Sequence, residues 1–93
     1  MNSIEKLKAK GQAALLEFLK TDLDLAFTFL KTAEIEAASD ARHSRAALAK
    51  AEKALETIRQ FEERIETPTA RQQIQTRADE LEVALRNPQP PLT

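Results

Sequence analysis

The sequence predicts an all-α protein, an antiparallel bundle of three to four helices, on three observations. The chain has one glycine and is rich in Ala, Leu, Glu, Lys, Gln and Arg, side chains that lose little rotamer freedom in a helix. Apolar residues recur at spacings of three and four along most of its length. No strand pattern competes. At 93 residues there is room for one domain and a modest core, and with four Phe and no Tyr or Trp that core must be mostly Leu, Ile and Ala.

The first helix is expected over about residues 3–38. Ser3 can accept the first unpaired N–H groups as N-cap, and Ile4, Leu7, Gly11, Ala14, Leu15 and Phe18 follow at helical spacing. Gly11 costs about 1 kcal/mol relative to Ala inside a helix, so it either marks a close helix approach or is simply tolerated. Two helices with a break near Thr21 are an equal alternative to one, because Thr21 could cap a new helix with Asp22 and Asp24 in its first turn. Against a break, no Gly or Pro intervenes, and Leu15, Leu19, Leu23, Ala26, Phe27 and Leu30 run one stripe through the junction. Leu25 and Phe29 widen the apolar arc to roughly half the circumference, which makes this segment the expected centre of the domain, with Phe27 and Phe29 as its largest core side chains.

A reversal follows at "AASDARHS", where Ser39 or Asp40 is a good N-cap. The second helix, about 40–66, carries the clearest stripe: Ala47, Leu48, Ala51, Ala54, Leu55, Ile58, Phe61 and Ile65. Its other face is charged; Arg59 can reach Glu62 or Glu63, and both acids read as solvated surface. Thr67 as N-cap with Pro68 at the first helical position opens a third helix over 68–86, with Ala70, Ile74, Ala78, Leu81 and Leu85 inward and Glu82 paired to Arg86. Residues 1–86 thus form one helical domain, and the Pro-rich tail 87–93 is expected to be extended and disordered.

Charge excludes little but favours little. Nine basic and eight acidic residues precede position 54, five and seven follow, and no concentrated positive stripe announces nucleic acid. The chain has no cysteine, and no run of about 18 apolar residues could span a bilayer. A cytoplasmic setting is the default.

The one histidine, His43, lies between Arg42 and Arg45. On a continuous helix it would share a face with Glu36 and Asp40. A bundle metal centre, however, takes several carboxylates plus two Glu-x-x-His pairs from facing helices, and there is no such pair here. Capping by Asp40 and a solvent-exposed His43 is the simpler reading, and Ser39 or Ser44 beside it does not make a triad. No catalytic residue, metal site or cofactor is therefore expected. Arg42, Arg45, Lys50 and Lys53 form a possible basic face, the basis of an alternative reading as a nucleic-acid-associated regulator, though Asp40 and Glu52 dilute it.

The block from Asp22 to Ile58 resembles a helical hairpin of the tetratricopeptide-like kind, with Ala47, Ala51 and Ala54 as the small residues that nest against a bulky first helix. It departs from that family in having no 34-residue period and Arg59-Gln60 in place of a closing proline. It also resembles a loose group of small bacterial helical proteins of unassigned function that share "DLDLAFTF" and "KALETI"-like helices. Neither resemblance carries catalytic residues. The expectation is a small non-enzymatic protein acting through protein–protein interaction or self-association, with a protein partner or a second copy, and with neither nucleic acid nor membrane. The expected surface is the apolar area left over at Leu25 and Phe29, or at Ile4, Leu7 and Phe18.

Overall fold

A computed structural model describes residues 2–87. Three helices make up nearly all of it: α1 Ser3–Glu36, α2 Ala41–Phe61 and α3 Pro68–Arg86, with one 3₁₀ turn, Glu62–Arg64, closing α2. The tail expected at 87–93 lies outside the described residues apart from Asn87, whose N–H bonds the Val83 carbonyl and ends α3.

α1 runs unbroken through Thr21. Thr21 makes no cap because Leu19, Leu23, Ala26 and Leu30 all face the same core, and breaking the helix between them would uncover that stripe. Its N-cap is Asn2, one residue ahead of the expected Ser3: Asn2 Oδ1 accepts the Glu5 N–H at 2.8 Å and the Glu5 carboxylate accepts the Asn2 N–H at 3.3 Å, a capping box. The helix stops at Glu36 and not at residue 38, where the N–H groups of Ser39 and Asp40 both turn back to the Glu36 carbonyl. Asp40 then caps α2 through the His43 N–H at 3.0 Å.

α2 is shorter than the expected 40–66. Pro68 lacks an N–H and holds Thr67 extended, with φ −74° and ψ 115°; further upstream the chain has already tightened into the 3₁₀ turn and left it at Ile65 with φ −71° and ψ 120°. That extended residue carries the Ile65 side chain into the core, 2% exposed.

α2 runs antiparallel to α1, and α3 returns antiparallel to α2. The Ser44 hydroxyl, buried, donates to the Ala33 carbonyl at 2.7 Å and fastens one end. Ala26 and Ala33 on α1 and Ala47 and Ala51 on α2 are buried, small enough for the two helices to approach closely. Leu19, Leu23, Ile58, Ile74 and Leu81 are the largest fully buried side chains, each worth about 1.5–3 kcal/mol of burial.

Phe27 and Phe29 are not the central core residues the sequence suggested. Both are only half-buried, at the two edges of the α1 stripe, where Arg77 lies 5.5 Å from the Phe27 ring centre and Lys50 lies 5.5 Å from that of Phe29. The paired acids Glu62 and Glu63 also differ from expectation: Glu63 is exposed, but Glu62 is buried beside Arg59.

At about 1.5 Å per residue, the 34 residues of α1 span most of the 58 Å long axis of the molecule. The other two helices are far shorter, and residues 3–11 of α1 are exposed all round. The first three turns of α1 therefore project beyond the bundle as an arm.

Candidate interaction surface

Gln12 marks where the arm meets the bundle. Its side-chain amide donates to the Arg64 carbonyl at 3.0 Å and accepts the Glu66 N–H at 2.9 Å, satisfying both sides of the turn between α2 and α3. Nothing in the sequence flagged it, since a polar residue within an amphipathic stripe carries no local signal of a partner far along the chain.

Outward from Gln12 and along the whole of α1 runs a second apolar line. Ile4, Leu7, Phe18, Leu25 and Ile35 are 48–69% exposed, and of the large exposed apolar side chains among the described residues only Val83 lies elsewhere. These five keep a three-four alternation completed by Gly11, Ala14, Thr21, Thr28 and Thr32, so none of the ten positions is charged. The line lies roughly 120° round the helix from the buried stripe at about 100° per residue. It follows the 3.5-residue repeat of a helix that packs on another helix, not the 3.6-residue period of a stripe on a straight one. Four of the five were legible as leftover apolar residues. Ile35 and the repeat that unites them were not drawn out, although the spacing is present in the sequence. Phe29, the fifth residue expected on this surface, is instead half-covered by Lys50.

A Cβ at Gly11 would meet nothing within 4 Å, so this glycine is not a close approach within the monomer. Beside the line, Asp22 is partly buried and makes no ion pair among the described residues. Burial pushes its carboxyl up from the ordinary value. Lys8 and Lys10 on the arm likewise have no ion-pair partner among the described residues.

Two arginines fasten helices together. Arg59 reaches Glu62 at 3.2 Å, Asp79 at 2.6 Å and Glu82 at 3.7 Å, tying α2 to α3. Burial works against its charge, but the Asp79 hydrogen bond and the field of Glu62 hold its pKa above the ordinary arginine value. Arg77 ties α3 to α1 through Asp24 at 3.0 Å.

Arg42, Arg45, Lys50 and Lys53 are all exposed on α2, within an arc of roughly 140° at about 100° per residue. Lys53 lies 3.6 Å from Glu56, and Lys50 is drawn aside over Phe29. Glu36, Asp40 and His43 come together even though the helix is not continuous there, with one ligand atom of each within 4.8 Å of the others. The reversal explains the grouping: Asp40 holds the His43 backbone as cap, and His43 Nδ1 stands 3.9 Å from Glu36. Clefts between α1 and α3, at Lys20, Asp24, Gln73 and Arg77, and between α2 and α3, at Glu52, Arg59 and Glu82, are open grooves between helices.

No family model, curated protein or solved structure matches the chain. Among the described residues, no helix is long and apolar enough to cross a membrane.

Proposed function

We propose that this protein is a small, non-enzymatic cytoplasmic interaction module that works through the outer face of α1, by self-association or by packing against a helix of a partner protein. The observation that carries this reading is the uncharged line of Ile4, Leu7, Phe18, Leu25 and Ile35, five half-exposed or more exposed apolar side chains on one helix face. Together they expose on the order of 500 Å² along one face of a single helix. A non-enzymatic role is supported by the polar groups themselves: the Ser44 hydroxyl is committed to the Ala33 carbonyl and His43 stands in solvent at the bundle's end.

The nucleic-acid reading through Arg42, Arg45, Lys50 and Lys53 has less support, because two of the four are engaged by Glu56 and Phe29. Absence of binding to DNA or RNA at low ionic strength would remove it.

The test of the module reading is the size of the chain in an extract of its own cells. The wild-type chain is expected in a particle heavier than its 10.4 kDa mass, and a Leu7→Gln, Phe18→Gln, Leu25→Gln variant at monomer mass. A wild-type monomer in the extract, matching the variant, overturns the reading.

A further inference from the structure

The face on α1 is self-complementary in size and in charge, which identifies an occupant. We propose that it is covered by a second copy of this chain, α1 packed antiparallel on α1, with Leu7 facing the partner's Leu25 and Ala14 facing the partner's Phe18. This rests on the reading that the face is an interface, and goes further by naming what lies on it.

Size comes first. The line is large at Ile4 and Leu7, small at Gly11 and Ala14, and large again at Phe18. In the antiparallel register each Phe18 ring meets the notch at the partner's Ala14 and Gly11, the place where a Cβ would touch nothing in the monomer. Ile4 then faces the partner's Thr28, so a large side chain meets a smaller one in that layer too. A parallel pairing would instead stack Phe18 on the partner's Phe18 and Gly11 on the partner's Gly11, crowding one layer and emptying another.

Charge selects the same register. Lys8 is brought beside the partner's Asp22 and Lys10 beside the partner's Asp24, and two-fold symmetry makes each contact twice. Asp22, partly buried and without a cation of its own among the described residues, thereby gains one. One like-charged contact remains, Glu17 against the partner's Glu17 at the axis. Sliding by one heptad in one direction sets Lys10 against the partner's Lys31 and Glu17 against the partner's Asp24, all like-charged. Sliding in the other direction carries Leu25 beyond the start of the partner's helix and takes Lys8 and Lys10 away from Asp22 and Asp24, leaving only Lys10 against the partner's Glu17.

Ile4, Leu7, Phe18 and Leu25, taken from both copies, supply on the order of 800 Å², and the threonines, alanines and lysine stems along the same face bring the pair toward the roughly 1,200–2,000 Å² of specific interfaces. The arm gains what it lacks in the monomer, a body to lie on: Ile4 and Leu7 rest on a stretch of the partner's α1 that its own bundle holds rigid. The 3.5-residue repeat gives the pair a left-handed crossing near +20°.

The chain has no cysteine, so introduced thiols report the register directly. Chains carrying Leu7→Cys mixed with chains carrying Leu25→Cys are expected to form the mixed disulfide about tenfold in excess over either symmetric one, with helicity unchanged. Dominant symmetric products would mean a parallel pair, and faster linkage of Ala14→Cys to Leu25→Cys would mean a shifted register; either overturns the proposal. A second arm uses charge: Lys8→Asp or Asp22→Lys alone should weaken dimerisation about fivefold, and the two together should restore it. Equal weakening by the double variant overturns the proposal. A purified chain that stays monomeric, while the chain in extract is part of a heavier particle, overturns the dimer and leaves the module reading standing.

Discussion

The side-chain amide of Gln12 is bonded to the backbone N–H of Glu66 at 2.9 Å, and this contact divides α1 into a buried helix and a free arm. On one side Leu15, Leu16 and Leu19 pack in the core; on the other, residues 2–11 are exposed. Gln12→Ala removes this bond and the one to the Arg64 carbonyl. The expected cost is about 1 kcal/mol in chemical denaturation, together with faster amide exchange at Glu66. Unchanged stability would mean that the buried Ile65 side chain and the Arg71 bond to the Ile65 carbonyl hold the turn between α2 and α3 without Gln12.

Arg59 holds a buried acid as well as two more exposed ones. Arg59→Met leaves Glu62, 7% exposed, without its cation, and should cost about 2 kcal/mol, more than a surface ion pair. Adding Glu62→Gln removes the stranded charge and should recover about half of that. If the double variant is no more stable than the single one, packing of the arginine stem, and not charge, is what Arg59 supplies.

Gly11 interrupts the arm with nothing around it to require a glycine in the monomer. Gly11→Ala should stabilise the arm helix by up to about 1 kcal/mol, read as roughly fivefold slower amide exchange over residues 4–10 at concentrations where the chain is monomeric. The melting temperature of the bundle should barely move, because the arm is outside its core.

Asp22 gives the fold a pH dependence whose sign follows from burial. Its carboxyl is pushed up in the folded chain, so the protonated form favours folding; that contribution is whole below the unfolded carboxyl range and is lost as pH rises through the folded value. Asp22→Asn should therefore raise the melting temperature of the dilute monomer slightly at neutral pH, and the difference should shrink as the pH falls below about 4. A difference that stays constant with pH would mean that the asparagine acts through helix propensity instead.

The helices were legible in the sequence because the inward stripe repeats every three or four residues, strongly enough to settle the question of a break at Thr21 once Leu19 and Leu23 are seen to share one core. The N-cap was misplaced by one residue although Asn2 and Glu5 spell a capping box. Phe27 and Phe29 misled because size suggests the centre of a core, whereas position on the helix puts both at the edges of the stripe, under Arg77 and Lys50. Glu62 could not be told from Glu63 by spacing alone, since the regular helix expected to run on to 66 gives way at Glu62 to the 3₁₀ turn in which it is buried. Of the candidate surface, Ile4, Leu7, Phe18 and Leu25 were readable as residues without a neighbour; Gln12, which shows where the bundle ends, was not, because its partners lie in another turn of the chain.

Sedimentation equilibrium of the purified chain over a range of concentrations tests most directly the claim that the outer face of α1 joins two copies. A reversible rise from 10.4 kDa to twice that mass is expected, abolished by Phe18→Gln with Leu25→Gln at unchanged helicity. A single monomer mass at every concentration, or a dimer that survives those two substitutions, would contradict it.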